Sequence, residues 1–289
     1  MDFCALPPPF SGRRTADAGL PAVAYHSELV AEPGPQTEDE LAYLEEKMRA
    51  DWDRRARENA RFYVATGKQQ WTDEEFFASG EEEVRNHILT DMTNICRGKD
   101  PRRMAVLEIG CGAGRVTRAL AKIFGAVYAV DISGEMVRQA RRALAGYPNV
   151  RVEQNNGRDL RVLGKIRVDF VFSSIVFQHI PSKAIIEGYV REVHRLLRHG
   201  CLFKFQVQGD ASIERSEDDT WLGVPFTDQE AVEMALRCGF DPRYRHGAGT
   251  QYFWLWYFKG WKPWHQSRYC WRRFSQYARM RWETLRRSA

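Results

Sequence analysis

The chain has 289 residues, of which 44% are hydrophobic, and its 43 Lys and Arg against 38 Asp and Glu leave a net charge of +5. This length accommodates one large domain, or one domain with a substantial extension, and the small basic excess does not by itself indicate nucleic-acid binding. The six cysteines lack CxxC pairs and metal-ligand spacing, and no apolar run reaches the roughly 18 residues of a membrane span, so composition favours a reduced, cytoplasmic protein without a disulfide framework, a metal site or a membrane segment.

Residues 1–36 contain six prolines and little periodicity, which predicts an extended or poorly ordered leader. From Glu38 onward the pattern becomes helical. Apolar residues three or four positions apart, beginning at Leu41 and ending at Tyr63, predict one long helix with a single buried face. This helix opens a helical cap that we place at residues 37–100.

Two capping boxes follow within the cap, Thr72 with Glu75 and Ser79 with Glu82. In a capping box the hydroxyl and the carboxylate each accept a hydrogen bond from a free amide at the start of a helix, so each box predicts a helix start. Pro101 marks the end of the cap. The helix predicted after Ser79 carries on one face Val84, Ile88, Met92 and Ile95.

Strand-like and helical runs alternate over residues 101–260, which we interpret as the main domain. Such alternation predicts an α/β fold, with a parallel sheet covered by helices on both faces. Strands are expected at 104–109, 126–131, 149–154, 168–174 and 201–207, with helices at 114–124, 134–145 and 183–197 between them.

The end of this domain has a different pattern. A third capping box, Thr227 with Glu230, predicts a helix that ends near Gly239. Two strand-like runs, 240–246 and 251–258, then follow without a helix between them and predict an antiparallel hairpin.

A glycine-rich turn follows the first predicted strand. Gly110, Gly112 and Gly114 form GxGxG, whereas a dinucleotide fingerprint is GxGxxG and has its third glycine where this chain has Arg115. This difference argues against NAD. Asp131 lies 21 residues after Gly110, at the end of the second strand, where its carboxylate can accept hydrogen bonds from both hydroxyls of a ribose. The alternative is that these residues merely form a tight βα turn.

Three segments together resemble the class I S-adenosylmethionine (SAM)-dependent methyltransferases. They are Glu108-Ile-Gly-Cys-Gly-Ala-Gly114, Val130-Asp-Ile-Ser133 with Met136, and Asp169-Phe-Val-Phe-Ser-Ser174 ahead of Phe177-Gln-His-Ile180. The resemblance covers about residues 100–260 and is most specific over 106–136. It implies a Rossmann-like sheet of seven strands in the order 3-2-1-4-5-7-6, mostly parallel with the seventh strand antiparallel, and SAM as the cofactor.

The resemblance also implies which residues bind SAM. Glu108 has the sign to balance a cationic cofactor, the glycines line its methionine and ribose parts, and Asp131 holds the ribose. Many relatives carry Asp at position 156, so Asp159 is an alternative to Asn156 for the adenine amino group. The expected cofactor residues are Glu108, Gly110, Cys111, Gly112, Gly114, Asp131, Ile132, Met136, Asn156, Gly157 and Ser173.

His179 follows the fourth strand, whose carboxyl end is expected to face the ligand crevice. Methyl transfer is an in-line displacement for which positioning can provide much of the rate, and a base is needed mainly for a weakly acidic oxygen acceptor. His179 is the candidate catalytic base. The alternative is a structural histidine that pins the loop by hydrogen bonding.

Segments outside the common core are expected to form the acceptor site, namely residues 63–80 and the insertion 208–226. Their aromatic residues either line a small-molecule pocket or pack the helical cap. The expected substrate-binding residues are Tyr63, Trp71, Gln178, Gln208 and Trp221.

Residues 261–289 form a C-terminal extension in which arginines alternate with aromatic residues. This pattern suits RNA or a membrane surface, but aromatic residues at helical spacing favour a helix docked on the core. We therefore predict a SAM-dependent methyltransferase that acts on the O or N atom of a small organic acceptor. The alternatives are an RNA or protein methyltransferase that uses the basic extension, and a SAM-binding module without catalysis. The oligomeric state is not predicted.

Overall fold

The computed structural model describes residues 36–260. The predicted leader lies outside the described residues except for Gln36, and the predicted C-terminal extension lies wholly outside them. The described α-helices are Glu38–Val64 (α1), Asp73–His87 (α2), Met92–Cys96 (α3), Arg115–Ala121 (α4), Gly134–Ala143 (α5), Lys183–Leu196 (α6) and Asp228–Arg237 (α7). Within residues 36–260, no helix is both long enough and apolar enough to cross a membrane.

One seven-stranded sheet organises the domain. Its strands are Ala105–Ile109 (β1), Ala126–Asp131 (β2), Val150–Gln154 (β3), Val168–Ser173 (β4), Leu197–Val207 (β5), Phe240–His246 (β6) and Phe253–Lys259 (β7). They pair in the order β3-β2-β1-β4-β5-β7-β6. The first five strands are parallel, and β7 runs antiparallel to both β5 and β6. The predicted strand order and the predicted terminal hairpin are confirmed.

The hydrophobic core lies on both faces of this sheet. On β1, Leu107 belongs to the core cluster that includes residues of α6 and α7. The preceding residue, Val106, points to the opposite face and packs in the cluster that includes residues of α2, α3 and α4. Neighbouring residues of a strand point to opposite faces, so a strand apolar at successive positions needs cover on both sides. The prediction of helices on both faces is confirmed.

Two of the three predicted capping boxes are present. Thr72 caps α2 with Glu75, and Thr227 caps α7 with Glu230. The box at Ser79 was wrong, because Ser79 lies within α2 and its hydroxyl donates to the carbonyl of Phe76 at 2.7 Å.

Close packing of α2 on α4 accounts for this difference. A Cβ atom at Gly80 would lie only 2.2 Å from the carbonyl oxygen of Arg115, so Gly80 brings the two helix backbones together where an N-terminus was expected. The helix instead ends after His87, and a 3-10 turn at Leu89–Asp91 precedes α3. The predicted apolar face therefore spans two helices, and Val84 and Ile95 are buried on both sides of the break.

Helix α1 crosses the carboxyl edge of the sheet and contains one extended residue, Asn59. The Asn59 side-chain oxygen accepts a hydrogen bond from the amide of Phe62 at 3.1 Å, so it caps the short segment that follows. That segment carries Tyr63 and Val64 into the cavity described below.

Candidate cofactor and active site

A cavity lies where β1, β2 and β4 end and α1 crosses above them. It contains about 940 Å³ of empty space, counting the part that opens to solvent. Carboxyl ends of parallel strands are where ligands bind in open α/β sheets. Seven of the predicted cofactor residues line it: Glu108, Gly110, Cys111, Gly112, Asp131, Ile132 and Met136.

The glycine-rich turn needs its glycines for two reasons. Gly110 and Gly112 have φ angles of +76° and +51°, in the left-handed region that side chains disfavour. A Cβ atom at Gly110 would also lie 2.2 Å from Val176 Cγ2, and one at Gly112 would lie 2.6 Å from Val64 Cγ2. Both positions therefore let neighbouring segments approach the turn closely.

Asp131 is held at the end of β2 by backbone amides. One carboxylate oxygen accepts from the amide of Gly112 at 2.8 Å, and the other accepts from the amide of Ser133 at 2.9 Å. Burial nevertheless raises the pKa of the Asp131 carboxyl to about 6, because desolvation outweighs these hydrogen bonds. The carboxylate lines the cavity with a fixed orientation and retains lone pairs for a ligand.

Opposite charges meet at the β1 end of the cavity. Burial raises the pKa of the Glu108 carboxyl to about 7, although Thr117 donates a hydrogen bond to it at 2.6 Å. Arg115 also lines the cavity and is 7% exposed. Its Nη1 donates to the carbonyl of Ser79 at 2.9 Å, whereas its Nε is buried with no hydrogen-bond partner.

Asn155, rather than the predicted Asn156, lines the cavity beyond β3. Its amide nitrogen donates to the hydroxyl of Tyr189, another cavity residue. Asn156 is exposed, and its side-chain oxygen accepts from the amides of Arg158 and Asp159 to form a turn. Asp159 does not line the cavity either, and its carboxylate accepts from the amide of Arg161.

Three further residues expected at the cofactor lie behind the cavity wall. A Cβ atom at Gly114 would touch Leu144, and one at Gly157 would lie 2.6 Å from Ile132 Cδ1. Ser173 is buried and donates to the carbonyl of Ile109 at 2.8 Å, so the lining position belongs to the next residue, Ser174.

An aromatic cluster borders the cavity on the side of α1. The ring of His179 lies 5.3 Å from that of Trp52 and 5.1 Å from that of Trp221, measured between centroids. Tyr63 meets Trp221 edge-on at 5.9 Å. The guanidinium of Arg55 lies over both tryptophan rings, at 4.8 and 5.3 Å. We call Trp52, Tyr63, His179 and Trp221 the aromatic wall.

His179 is 6% exposed and lines the cavity. Its Nδ1 donates to the carbonyl oxygen of Trp221. Burial, together with the nearby charge of Arg55, lowers the pKa of His179 to about 4. The imidazole is therefore neutral at physiological pH and has one nitrogen able to accept a proton.

The other predicted substrate residues occupy different positions. Tyr63 lines the cavity, and Trp221 belongs to the aromatic wall. Trp71 packs edge-on against Phe76, and its indole nitrogen donates to the carbonyl of Ala65. Gln178 and Gln208 are buried, 3% and 2% exposed, and neither lines the cavity.

The insertion at residues 208–226 is fastened to α1 by polar contacts. Thr220 donates to the carboxylate of Asp51 at 2.8 Å, and Arg55 donates to the carbonyl of Thr220 at 3.1 Å. Lys47 lies within ion-pair distance of Asp51 and of Asp218. Helix α1 and the insertion are therefore joined into one unit, which we call the cover.

Sequence patterns assigned several lining residues other roles. Trp52 was predicted only as part of the apolar stripe of α1, and Arg115 only as a departure from a dinucleotide motif. Met48, four positions before Trp52, lies in the same stripe and also lines the cavity. Residues of one helical face share a surface, so the stripe signals a buried face without revealing whether it covers core or ligand.

Known proteins match parts of this chain. Residues 106–200 match a family model described as a methyltransferase domain. Over 129 residues the chain is 32% identical to a trans-aconitate 2-methyltransferase of Rhodopseudomonas palustris strain BisA53. This alignment covers 44% of each chain. Over 142 residues it is 29% identical to a malonyl-acyl-carrier protein O-methyltransferase of Enterobacter lignolyticus strain SCF1, covering 47% of this chain and 54% of the relative. The chain spans about half the length of these curated relatives.

The fold is also found in a solved structure, the DhpI–SAH complex. The TM-score is 0.53 at 21% sequence identity, and the likeness covers 76% of this chain and 98% of the other. At this identity the likeness establishes the fold alone, a Rossmann-like domain with a mostly parallel sheet.

Proposed function

We propose that the protein transfers a methyl group from SAM to a small organic acceptor, on the premise that residues 106–200, which match a methyltransferase domain, belong to a class I SAM-dependent methyltransferase. The observation that carries the proposal is the position of the aromatic wall. Three of its four residues, Trp52, Tyr63 and His179, line the same cavity as Glu108 and Asp131, and the fourth, Trp221, packs against His179. Donor and acceptor would therefore meet within one cavity.

The cavity residues fit SAM by charge and by hydrogen bonding. The buried Arg115 Nε has no partner, which is costly unless a ligand supplies an acceptor. The methionine part of SAM carries a carboxylate that would satisfy Arg115 and an ammonium that would face Glu108. Asp131 would accept hydrogen bonds from the ribose hydroxyls, with Ile132 and Met136 beside the adenine. When bound, SAM supplies a methyl carbon activated by a positively charged sulfur.

The protein's own contribution is positioning and the exclusion of water. Helix α1 lines the cavity with Met48 and Trp52, and the insertion is joined to this helix by the hydrogen bond from Thr220 to Asp51. An acceptor fixed against the aromatic wall loses its rotational freedom before reaction, which lowers the barrier. Apolar walls also remove water that competes with the acceptor.

We assign His179 the role of proton acceptor for an acidic acceptor group. Its Nδ1 proton is engaged by the Trp221 carbonyl, so Nε2 is the nitrogen that receives a proton. Its low pKa keeps the ring neutral, hence ready to accept a hydrogen bond at physiological pH. For an acceptor that is already anionic, the same nitrogen would serve only to orient it.

A small acceptor is favoured over a polymer because the cover is built into the domain. Two segments far apart in sequence, α1 and residues 208–226, are joined by several polar contacts above the cavity. The name of one matching relative, trans-aconitate 2-methyltransferase, points in the same direction, whereas malonyl-acyl-carrier protein O-methyltransferase and protein-L-isoaspartate O-methyltransferase are named for acceptors attached to a protein. The basic extension, on which an RNA or protein substrate would depend, lies outside the described residues.

The test begins with calorimetric SAM binding to the full chain and to Asp131→Ala, in which binding should weaken at least about tenfold. Release of S-adenosylhomocysteine is then measured with pools of small organic acids, amines and phenols, and separately with RNA and with protein. Turnover restricted to a small-molecule pool is expected. Turnover only on a polymer would overturn the proposal, and SAM binding without turnover on any pool would identify a non-catalytic module.

His179→Ala, assayed on the accepted pool at saturating SAM, should lower turnover and change its pH profile. His199→Ala is the matched control, because His199 is exposed, lies outside the cavity lining and hydrogen-bonds to the carbonyl of Gly260. An unchanged rate and pH profile in His179→Ala would remove His179 from the chemistry.

A further inference from the structure

We propose that Gln206 is a positioning residue that, acting through Gln178, keeps the His179 ring in the tautomer with its proton on Nδ1. The proposal rests on the function assigned to His179 above. Gln206 lies on β5, and no sequence pattern singled it out. It is fully buried, and its amide connects the loop after β4 to the histidine.

Backbone groups of fixed polarity determine which way the Gln206 amide points. The amide of Ile175 can only donate, and it lies 3.1 Å from Gln206 Oε1. The carbonyl of Gln251 can only accept, and it lies 3.2 Å from Gln206 Nε2. Exchanging oxygen and nitrogen in Gln206 would break both hydrogen bonds, so the orientation is fixed from two sides.

The same polarity continues to the histidine. Gln206 Nε2 also donates to Gln178 Oε1, which leaves Gln178 Nε2 to face His179 Nε2 at 3.4 Å. An amide nitrogen can only donate, so His179 Nε2 must be the unprotonated nitrogen. At the far side of the ring, the Trp221 carbonyl requires a proton on Nδ1. Both neighbours of the imidazole therefore select one tautomer.

We call the hydrogen-bonded connection from Gln206 through Gln178 to His179 the relay. Ile175 gives the relay a second function. Its φ angle of +56° is strained for a β-branched residue, and Ile175 lines the cavity. Such a conformation persists only where surrounding contacts enforce it, and Gln206 supplies one by accepting from the Ile175 amide. One buried amide thus fixes both the backbone after β4 and the proton position on His179.

The relay also lowers the proton affinity of His179 Nε2 in the absence of an acceptor, so that transfer of a proton to this nitrogen requires the Gln178 amide to move away from it. A proton on Nε2 would place two donors face to face, the imidazolium and the Gln178 amide. The charged groups that act on this ring are Arg55, which disfavours the cation, and Asp219, which favours it. Replacing Gln206 by glutamate removes its donor. Gln178 would then have to turn and donate to Glu, presenting its oxygen to His179 Nε2.

The experiment is ¹⁵N NMR of the histidine rings in the full chain, in which the shifts of Nδ1 and Nε2 report the tautomer and a pH titration reports proton affinity. The wild type should show the Nδ1–H form. Gln206→Glu should raise the proton affinity of His179 about tenfold or more. In Gln206→Glu combined with Gln178→Leu, the rise should largely disappear, because the relay is cut while the new charge stays.

Gln208→Leu is the matched control, since Gln208 is also a buried amide, directly after β5, but its oxygen accepts from the amide of Asp210, whereas Gln206 bonds to Gln178. It should leave the His179 signals in place. An Nε2–H form in the wild type would overturn the proposal, as would a rise that survives in the double variant, which would reveal a through-space charge effect. SAM binding reports folding in each variant, and methyl transfer is scored separately, so a failed function leaves the tautomer result intact.

Discussion

Asp53 of helix α1 accepts a hydrogen bond from the hydroxyl of Ser133 at 2.6 Å, although 80 positions separate the two residues. The same Asp53 oxygen accepts from the amide of Glu135 at 3.0 Å. Ser133 in turn accepts from the amide of Met136 and thereby caps α5. The cap helix is thus attached to the turn that immediately follows Asp131, the ribose-binding candidate.

Asp53→Ala should therefore destabilise the protein by about 1–2 kcal/mol, because two donors lose their acceptor at a helix start. SAM binding should weaken as well, since α1 loses its attachment beside Asp131. Chemical denaturation and calorimetry measure the two effects. Arg57→Ala is the control, as it removes only the 3.7 Å ion pair of Asp53 and should change stability by less than about 0.5 kcal/mol. Equal effects in both variants would contradict the expectation.

Gly110→Ala should abolish most SAM binding. A β-carbon there meets Val176 at 2.2 Å, in addition to the cost of about 1–2 kcal/mol for a left-handed alanine. Gly249→Ala is a matched control, because Gly249 has a similar φ of +80° but no atom within 4 Å of the added carbon. It should lose stability by the backbone cost alone and bind SAM normally. Adding Val176→Ala to Gly110→Ala should restore part of the binding, and no restoration would mean that the clash is not the cause.

SAM affinity should rise with pH between about 5 and 8. Burial raises the pKa of Glu108 to about 7 and that of Asp131 to about 6, so both carry protons at low pH. A cationic ligand favours the ionised forms of both carboxyl groups, so binding releases protons at low pH. Below each of these pKa values, SAM affinity therefore falls by up to about tenfold per pH unit for each proton released. Glu108→Gln should bind more weakly and lose the part of the pH dependence near 7. Calorimetry in buffers of different ionisation enthalpy measures the released protons, and a pH-independent affinity would contradict this assignment.

Thr220→Val should raise the KM for the acceptor and leave SAM affinity unchanged. The substitution removes the donor to Asp51 and loosens the cover formed by α1 and residues 208–226. Steady-state kinetics at saturating SAM measure the effect, with a several-fold increase expected. Thr250→Val is a control, because its hydroxyl bonds only to the carbonyl of Gly247 in an exposed turn of the described residues. A parallel loss of SAM affinity in Thr220→Val would place this contact at the cofactor instead.

The alternation of strand-like and helical runs predicted the sheet, because each strand and helix is encoded by residues that are close together in the sequence. The run from Val106 to Ile109, the turn at Gly110 and the acid at Asp131 follow one another within a short stretch, and each is recognisable from spacing alone. The capping box at Thr72 was correct for the same reason. The box at Ser79 was wrong because a distant contact, Gly80 against Arg115, decided the local structure.

Much of the acceptor side could not be predicted, because its residues meet only in three dimensions. Thr220 and Asp51 are 169 positions apart, and no pattern in either segment predicts that the two residues are in contact. The two serines at the end of β4 also differ in a way that the motif alone does not show, because Ser174 lines the cavity whereas Ser173 donates to the carbonyl of Ile109. Long-range pairing and register are thus the information that local patterns lack.

Helix α1 contributes to both parts of the proposed site, with Met48 and Val64 lining the cavity shared with the glycine turn and Trp52 in the aromatic wall. A change on this helix that adapts the protein to a new acceptor will alter the cofactor's surroundings in the same step. Evolution of acceptor specificity is therefore expected to proceed through the insertion at residues 208–226, which can vary while the cofactor is held, and α1 is expected to tolerate the least change in directed evolution.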